Sequence, residues 1–213
     1  PVVDALGSFY LGAAVAMVAA ILLFRILFAG SASDRRVAAV GAAHGQVALL
    51  GVPAVFLILG GNLGQPTFFI VGLHGVAMAV LAGLVAGIAG LSLSGLLGGL
   101  WDALARQIMN PLPIALVAGL LHHHLALPMP RIADVVIGEF AQALVAVALF
   151  GFGGLVARSR LVASGPALLI SAVKLGVHPA ATWLLARELF GLSGSWALAA
   201  TLLAAMPTTM GAD

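Results

Sequence analysis

The chain has 213 residues, of which 62% are apolar and only 8% charged, and its mean hydropathy of +1.19 lies far outside the range of soluble domains. Nine basic and seven acidic residues leave a net charge of +2, but the basic residues are scattered between apolar stretches and form no continuous patch for nucleic acid. A soluble enzyme is excluded, and the 27 glycines and 10 prolines follow neither a collagen period nor the short alternating strands of an outer-membrane barrel, so the chain reads as an all-α membrane protein.

The chain starts at Pro1 rather than Met and stops at Asp213 inside an apolar segment, so it reads as a fragment of a longer protein. With no cysteine, neither a disulfide framework nor a thiolate metal site is available. Seven apolar spans follow in order: Phe9 to Phe28, Val37 to Gly60, Phe68 to Leu91, Pro111 to Leu127, Val135 to Ala157, Pro166 to Phe190, and Trp196 to the end. Each is near the length that a helix needs to cross hydrocarbon. The first, third and fifth breaks between them carry Arg35, Arg36, Arg106, Arg158 and Arg160, which places those breaks in the cytoplasm by the positive-inside rule. Within the third break, Leu97, Leu100, Trp101, Leu104 and Ile108 fall at helical spacing opposite Asp102 and Arg106, the pattern of an interfacial helix. Asn110-Pro111 then supplies an N-cap and a proline at the first helical position.

The second and seventh spans share a pattern: Leu49-Leu50-Gly51-Val52-Pro53 against Leu203-Ala204-Ala205-Met206-Pro207. The preceding spans match as well, Leu23-Phe24-Arg25-Ile26-Leu27-Phe28 against Leu185-Ala186-Arg187-Glu188-Leu189-Phe190. Five passes separate the copies, so they run in opposite directions, as in an inverted repeat. A proline in mid-span frees a carbonyl and removes a donor, and in hydrocarbon such a break is costly unless it lines a cavity. Pro53 and Pro207 are therefore expected to interrupt their helices near the midplane, where opposed half-helix ends can hold an ion. The alternative is a pair of ordinary kinked helices in a packed bundle.

Lys174 lies well inside the sixth span, in Lys174-Leu175-Gly176-Val177-His178-Pro179. It either faces protein or water as a functional charge, with Glu139 and Gln142 the nearest polar candidates, or snorkels to the interface. His122, His123 and His124 occupy consecutive helical positions and point in different directions, and His44, His74 and His178 have no spacing that forces convergence, so no metal site is expected.

Taken in order, Gln46 ahead of Gly51-Val52-Pro53, Asn110-Pro111 followed by Ile114-Ala115-Leu116-Val117-Ala118-Gly119, Leu149-Phe150-Gly151-Phe152-Gly153-Gly154, Lys174-Leu175 before Pro179, and Ala205-Met206-Pro207-Thr208 resemble the auxin efflux carrier family, which includes plant PIN proteins and bacterial malonate or malate permeases. The resemblance covers nearly the whole chain through the order of short motifs. It implies an inverted-repeat secondary transporter fold of ten helices with two broken crossover helices, of which about seven are present. Residues 1–91 then correspond to the end of the first repeat, 92–110 to a cytoplasmic link with the interfacial helix, and 111–213 to most of the second repeat. Two departures stand out: Gln46 replaces the family's usual asparagine before the first crossover proline, and Gly211 replaces an asparagine frequent in bacterial members after the second.

The function expected on this basis is a permease, not an enzyme, that moves a small organic anion, a carboxylate, by alternating access around the crossover helices. The substrate-binding set is Gln46, Gly51, Pro53, Pro207, Thr208, Thr209 and Lys174, with the amide and the hydroxyls as hydrogen-bond groups and Lys174 as counter-charge. No cofactor and no metal are called for. The partners are the anion, the lipid bilayer of a bacterial inner membrane, and a coupling proton or ion, with a homodimer compatible and nucleic acid excluded. The competing readings are a sodium-coupled bile-acid-type or sodium/proton carrier, an intramembrane metal enzyme using His44, His74 and His178, and a structural or sensory bundle.

Overall fold

The computed structural model describes residues 1–60, 64–88, 101, 105, 110–158 and 164–208. The described chain is predominantly helical: α1 (Val2–Leu27), α2 (Ala32–Gly41), α3 (Val47–Leu59), α4 (Gly64–Ile88), α5 (Pro111–His124), α6 (Arg131–Arg158), α7 (Gly165–Leu189) and α8 (Gly194–Ala204). Four stretches are long and apolar enough to cross a bilayer, namely Val2–Leu27, Gln65–Val85, Arg131–Arg158 and Gly165–Leu189. The protein is thus an all-α integral membrane protein. The fourth expected span is shorter than anticipated, because α5 has 14 residues and covers only about 21 Å at 1.5 Å per residue, against a hydrocarbon core of about 30 Å. The interfacial helix expected around Trp101 lies, apart from helical Trp101 and Ala105, outside the described residues.

The centre of the packing is α1, which touches α2, α4, α7 and α8. Its buried stripe of Ala5, Ser8, Phe9, Gly12, Ala13, Ala16, Met17, Ala20, Ile21 and Phe24 repeats every three to four residues and is mostly small. In lipid, where apolar side chains gain nothing by leaving the solvent, small residues let helix backbones approach and gain dispersion contacts. The closest approach is at Gly12, where an added Cβ would press into the Thr182 side chain and lie 3.0 Å from the Thr182 backbone nitrogen. Gly12→Val is accordingly expected to destabilise the α1–α7 contact by about 1–3 kcal/mol, the usual cost of overpacking, and thermal unfolding in detergent checks it; an unchanged midpoint contradicts the contact.

α2 begins with a capping box. The Ser31 hydroxyl accepts from the Asp34 backbone N–H at 3.2 Å, and an Asp34 carboxylate oxygen accepts from the Ser31 N–H at 2.8 Å. The Ser31 hydroxyl also donates to that carboxylate, and these bonds hold the Asp34 carboxyl below its ordinary range, the hydroxyl bond contributing most. Because the folded value is depressed, the contribution of the cap is complete above the ordinary carboxylate pKa of about 3.9 and disappears as pH falls through the folded value. Amide exchange at Asp34, corrected for its intrinsic pH dependence, is expected to lose protection over that acidic window in the native protein and to show no such step in Ser31→Ala.

Two prolines are accommodated inside helices by one device. A wide π-type turn at Val47–Gly51 precedes Pro53, and another at Val173–Val177 precedes Pro179. In each the residue just before the proline reaches back five positions, Val52 N–H to the Val47 carbonyl and His178 N–H to the Val173 carbonyl. Widening the turn moves the i−4 carbonyl away from the proline ring, which would otherwise collide with it.

Candidate functional site

The second and seventh spans are each interrupted, and the interruptions meet. α2 closes with the His44 N–H donating to the Val40 carbonyl at 2.8 Å, and α8 closes with the Ala205 N–H on the Thr201 carbonyl at 3.0 Å. Beyond these ends, Gly45 and Thr208 pair as two antiparallel extended residues. The Gln46 N–H donates to the Pro207 carbonyl at 2.9 Å, and the Thr208 hydroxyl donates to the Gly41 carbonyl at 2.8 Å. Non-helical backbone at membrane depth needs such partners, since lipid offers none. Packing holds the crossing together: Phe9 from α1, Val47, Val52 and Val55 from α3, Ile70 from α4, and Leu203 from α8 form one buried cluster. The C-terminal ends of α2 and α8, which carry partial negative charge, and the N-terminal end of α3, which carries partial positive charge, therefore converge.

Two cavities border the crossing. One of about 200 Å³ opens in front of the α3 N-terminus and is bordered by His44, Gln46, Ala48, His74 and Asn110. The Asn110 side chain accepts from the Leu112 N–H at 3.0 Å, forming the expected N-cap of α5. The other, of about 410 Å³, is bordered by Ser33, Arg36, Val40, His44 and Thr208. His44 borders both cavities. Its ring stands edge-on to that of His74, with centroids 4.8 Å apart. His74 is 5% exposed, and neither of its ring nitrogens has a hydrogen-bond partner. It packs against Phe9 and Tyr10, whose hydroxyl is spent on the Ile70 carbonyl at 2.9 Å. A buried imidazole without partners forfeits one or two hydrogen bonds.

Behind the crossing lies Lys174, only 1% exposed. Its ammonium donates to the Ala204 carbonyl at the end of α8 at 2.7 Å and to Nδ1 of His178 at 2.9 Å. The side chain does not snorkel. Glu139 is exposed on α6 and is not its partner, because the acceptors come instead from the i+4 position of its own helix and from a helix-end carbonyl.

The residues expected to bind substrate divide into three groups. Gln46 borders the smaller cavity and Thr208 the larger, with Pro207 joining them through its carbonyl. Gly51 and Pro53 border neither: a Cβ on Gly51 would sit 2.7 Å from Leu203 Cδ2, so this glycine lets α3 lie against α8, and Pro53 is buried in the first α-helical turn after the wide turn. The first interruption thus falls at Ala42 to Gln46 and not at Pro53, since proline fits the start of a helix without loss and gives no reason to break there. Lys174 borders neither cavity, and Thr209 lies outside the described residues. His44 and His74 converge although nothing in their spacing announces it. Among the described residues no three His, Asp or Glu side chains are grouped so as to hold a metal ion. No family model matches the chain, and no curated protein or solved structure matches it either.

Proposed function

We propose that the protein is a secondary carrier for a small organic anion, a carboxylate, working by alternating access around the crossing of α2–α3 with α8, as the resemblance to auxin efflux carriers implies. The observation that carries this reading is the main-chain pairing of two helix breaks at Gly45 and Thr208, with two cavities bordering the crossing. Interrupted helices are expensive in a bilayer and recur in carriers where half-helix ends face solute. In the smaller cavity a carboxylate accepts from the first free N–H groups of α3 and from the Gln46 amide, while the helix dipole favours its charge. Thr208, its hydroxyl donated to the Gly41 carbonyl, borders the second cavity, and His44 borders both. The membrane is taken to be the plasma membrane of a bacterium.

Reconstitution of the complete carrier in liposomes, with labelled malonate, malate and indole-acetate, tests the proposal. Saturable flux of at least one of them is the expected result, and none for any organic anion overturns it.

A further inference from the structure

Lys174 is the only lysine in the chain, the other eight basic residues being arginine. It is also buried at the point where both helix breaks meet. Its ammonium is 2.7 Å from the Ala204 carbonyl at the end of α8. On the other side, a Cβ placed on Gly45 would lie 3.0 Å from the same nitrogen, so the ammonium is in contact with the first break as well. Among the described residues it forms no ion pair with a carboxylate: Asp4 pairs with the N-terminus, Asp34 caps α2, and Asp134, Glu139 and Glu188 are exposed. Its charge is answered by the partly negative ends of helices and by one imidazole. Because an ammonium can only donate, Nδ1 of His178 is the acceptor, which leaves the ring proton on Nε2, facing the Phe9 carbonyl at 3.4 Å.

We propose that the Lys174 ammonium is a tethered cation that takes the place of a diffusible sodium or potassium ion at the crossing, so that the two breaks assemble without any bound metal cation. The inference rests on the carrier reading for its consequence in transport but not for the site itself. Carbonyls freed at the end of a broken helix are natural ligands for a coupling cation. Here the carbonyl is already occupied by a compact point charge with three donors, a better substitute for a small ion than the broad planar guanidinium used elsewhere in the chain. Methionine or leucine would fill the same volume without the cost of centring a charge in hydrocarbon, at least about 2.5 kcal/mol, so packing alone does not account for a lysine.

The test uses the complete carrier purified in detergent. Lys174→Ala leaves a channel of the length of the lost side chain, ending at the Ala204 carbonyl. Its unfolding temperature is measured in choline chloride and with increasing propylammonium, sodium or potassium. The native protein is expected to show the same midpoint in choline, sodium and potassium. Lys174→Ala is expected to unfold at a lower temperature and to recover about 5 °C, saturably, with propylammonium or a small metal cation, as for any ligand that binds only the folded state. Saturable stabilisation of the native protein by sodium or potassium overturns the proposal, and so does a variant indifferent to every cation. If Lys174→Ala is recovered only when propylammonium is present during purification, that supports the assignment; equal loss with and without the amine overturns it. Absence of anion flux in the native carrier would instead count against the transport reading and leave these stability results to decide on Lys174 alone.

Discussion

Gly45→Val is expected to abolish saturable anion flux, lowering it at least a hundredfold, while the protein still inserts in the membrane. Gly45 is not in the left-handed region, so the constraint on it is space rather than backbone conformation. A Cβ there would meet the Met206 carbonyl at 3.0 Å and the Lys174 side chain at 3.0 and 3.1 Å. The lysine stem can give a few tenths of an ångström, but the Met206 carbonyl belongs to the second break, whose position is set by the pairing of Gly45 with Thr208. Valine adds two more carbons. They drive the breaks apart and stretch the Gln46 N–H to Pro207 bond, now 2.9 Å. Overpacking costs about 1–3 kcal/mol and a buried backbone group left unpaired another 1–3 kcal/mol. About 3 kcal/mol of the total, directed at the element that must keep its shape through the cycle, corresponds to a factor of about a hundred. The control is Gly119→Val, because nothing lies within 4 Å of a Cβ at Gly119. Flux per inserted protein distinguishes the two, and a Gly45→Val carrier with native flux removes the crossing from the mechanism.

The features legible in the sequence were those with a local cause. Apolar length announces membrane helices, the Asn110-Pro111 pair announces the start of α5, and a lysine in mid-span announces a buried charge. The break in the second span is not marked by its proline: the chain departs from the helix around Gly45, where a second backbone must pass close by. Nothing adjacent in sequence marks that approach. In the seventh span the proline was a better guide: α8 ends at Ala204 and Pro207 follows shortly after, the usual position of a proline that cannot continue a helix. The acceptors of Lys174 were harder to foresee. One is a backbone carbonyl, which any residue type can supply, and its availability depends on where a different helix stops. The meeting of His44 with His74 has the same origin, since it depends on how α4 lies against the break and on no repeat within either element.

His178→Leu is expected to lower the unfolding temperature by about 6–12 °C and to be largely corrected by a second substitution, Lys174→Met. His178 is fully buried, and its Nδ1 is one of two acceptors for the Lys174 ammonium. Leucine fills the space but accepts nothing, so the ammonium keeps the Ala204 carbonyl alone. A hydrogen bond to a charged group is worth about 1.5–3 kcal/mol, and removing one partner from a buried charge costs up to 3–5 kcal/mol. Taking about 3 kcal/mol at 2–4 °C per kcal/mol, as for a chain of this size, gives the stated range. The Nε2 contact with the Phe9 carbonyl, at 3.4 Å, is long and adds little. In Lys174→Met with His178→Leu no charge remains to be satisfied, and the apolar pair is expected to restore most of the lost stability, because the penalty belongs to the stranded ammonium and not to the missing imidazole. The double variant also leaves the Ala204 carbonyl without its donor, so its recovery is expected to stop short of the native midpoint. His178→Asn, whose side-chain oxygen can accept where Nδ1 did, is expected to fall between the native protein and His178→Leu. Losses that simply add in the double variant would mean that the two side chains act independently, and the account of His178 as the acceptor that makes a buried lysine tolerable would fail.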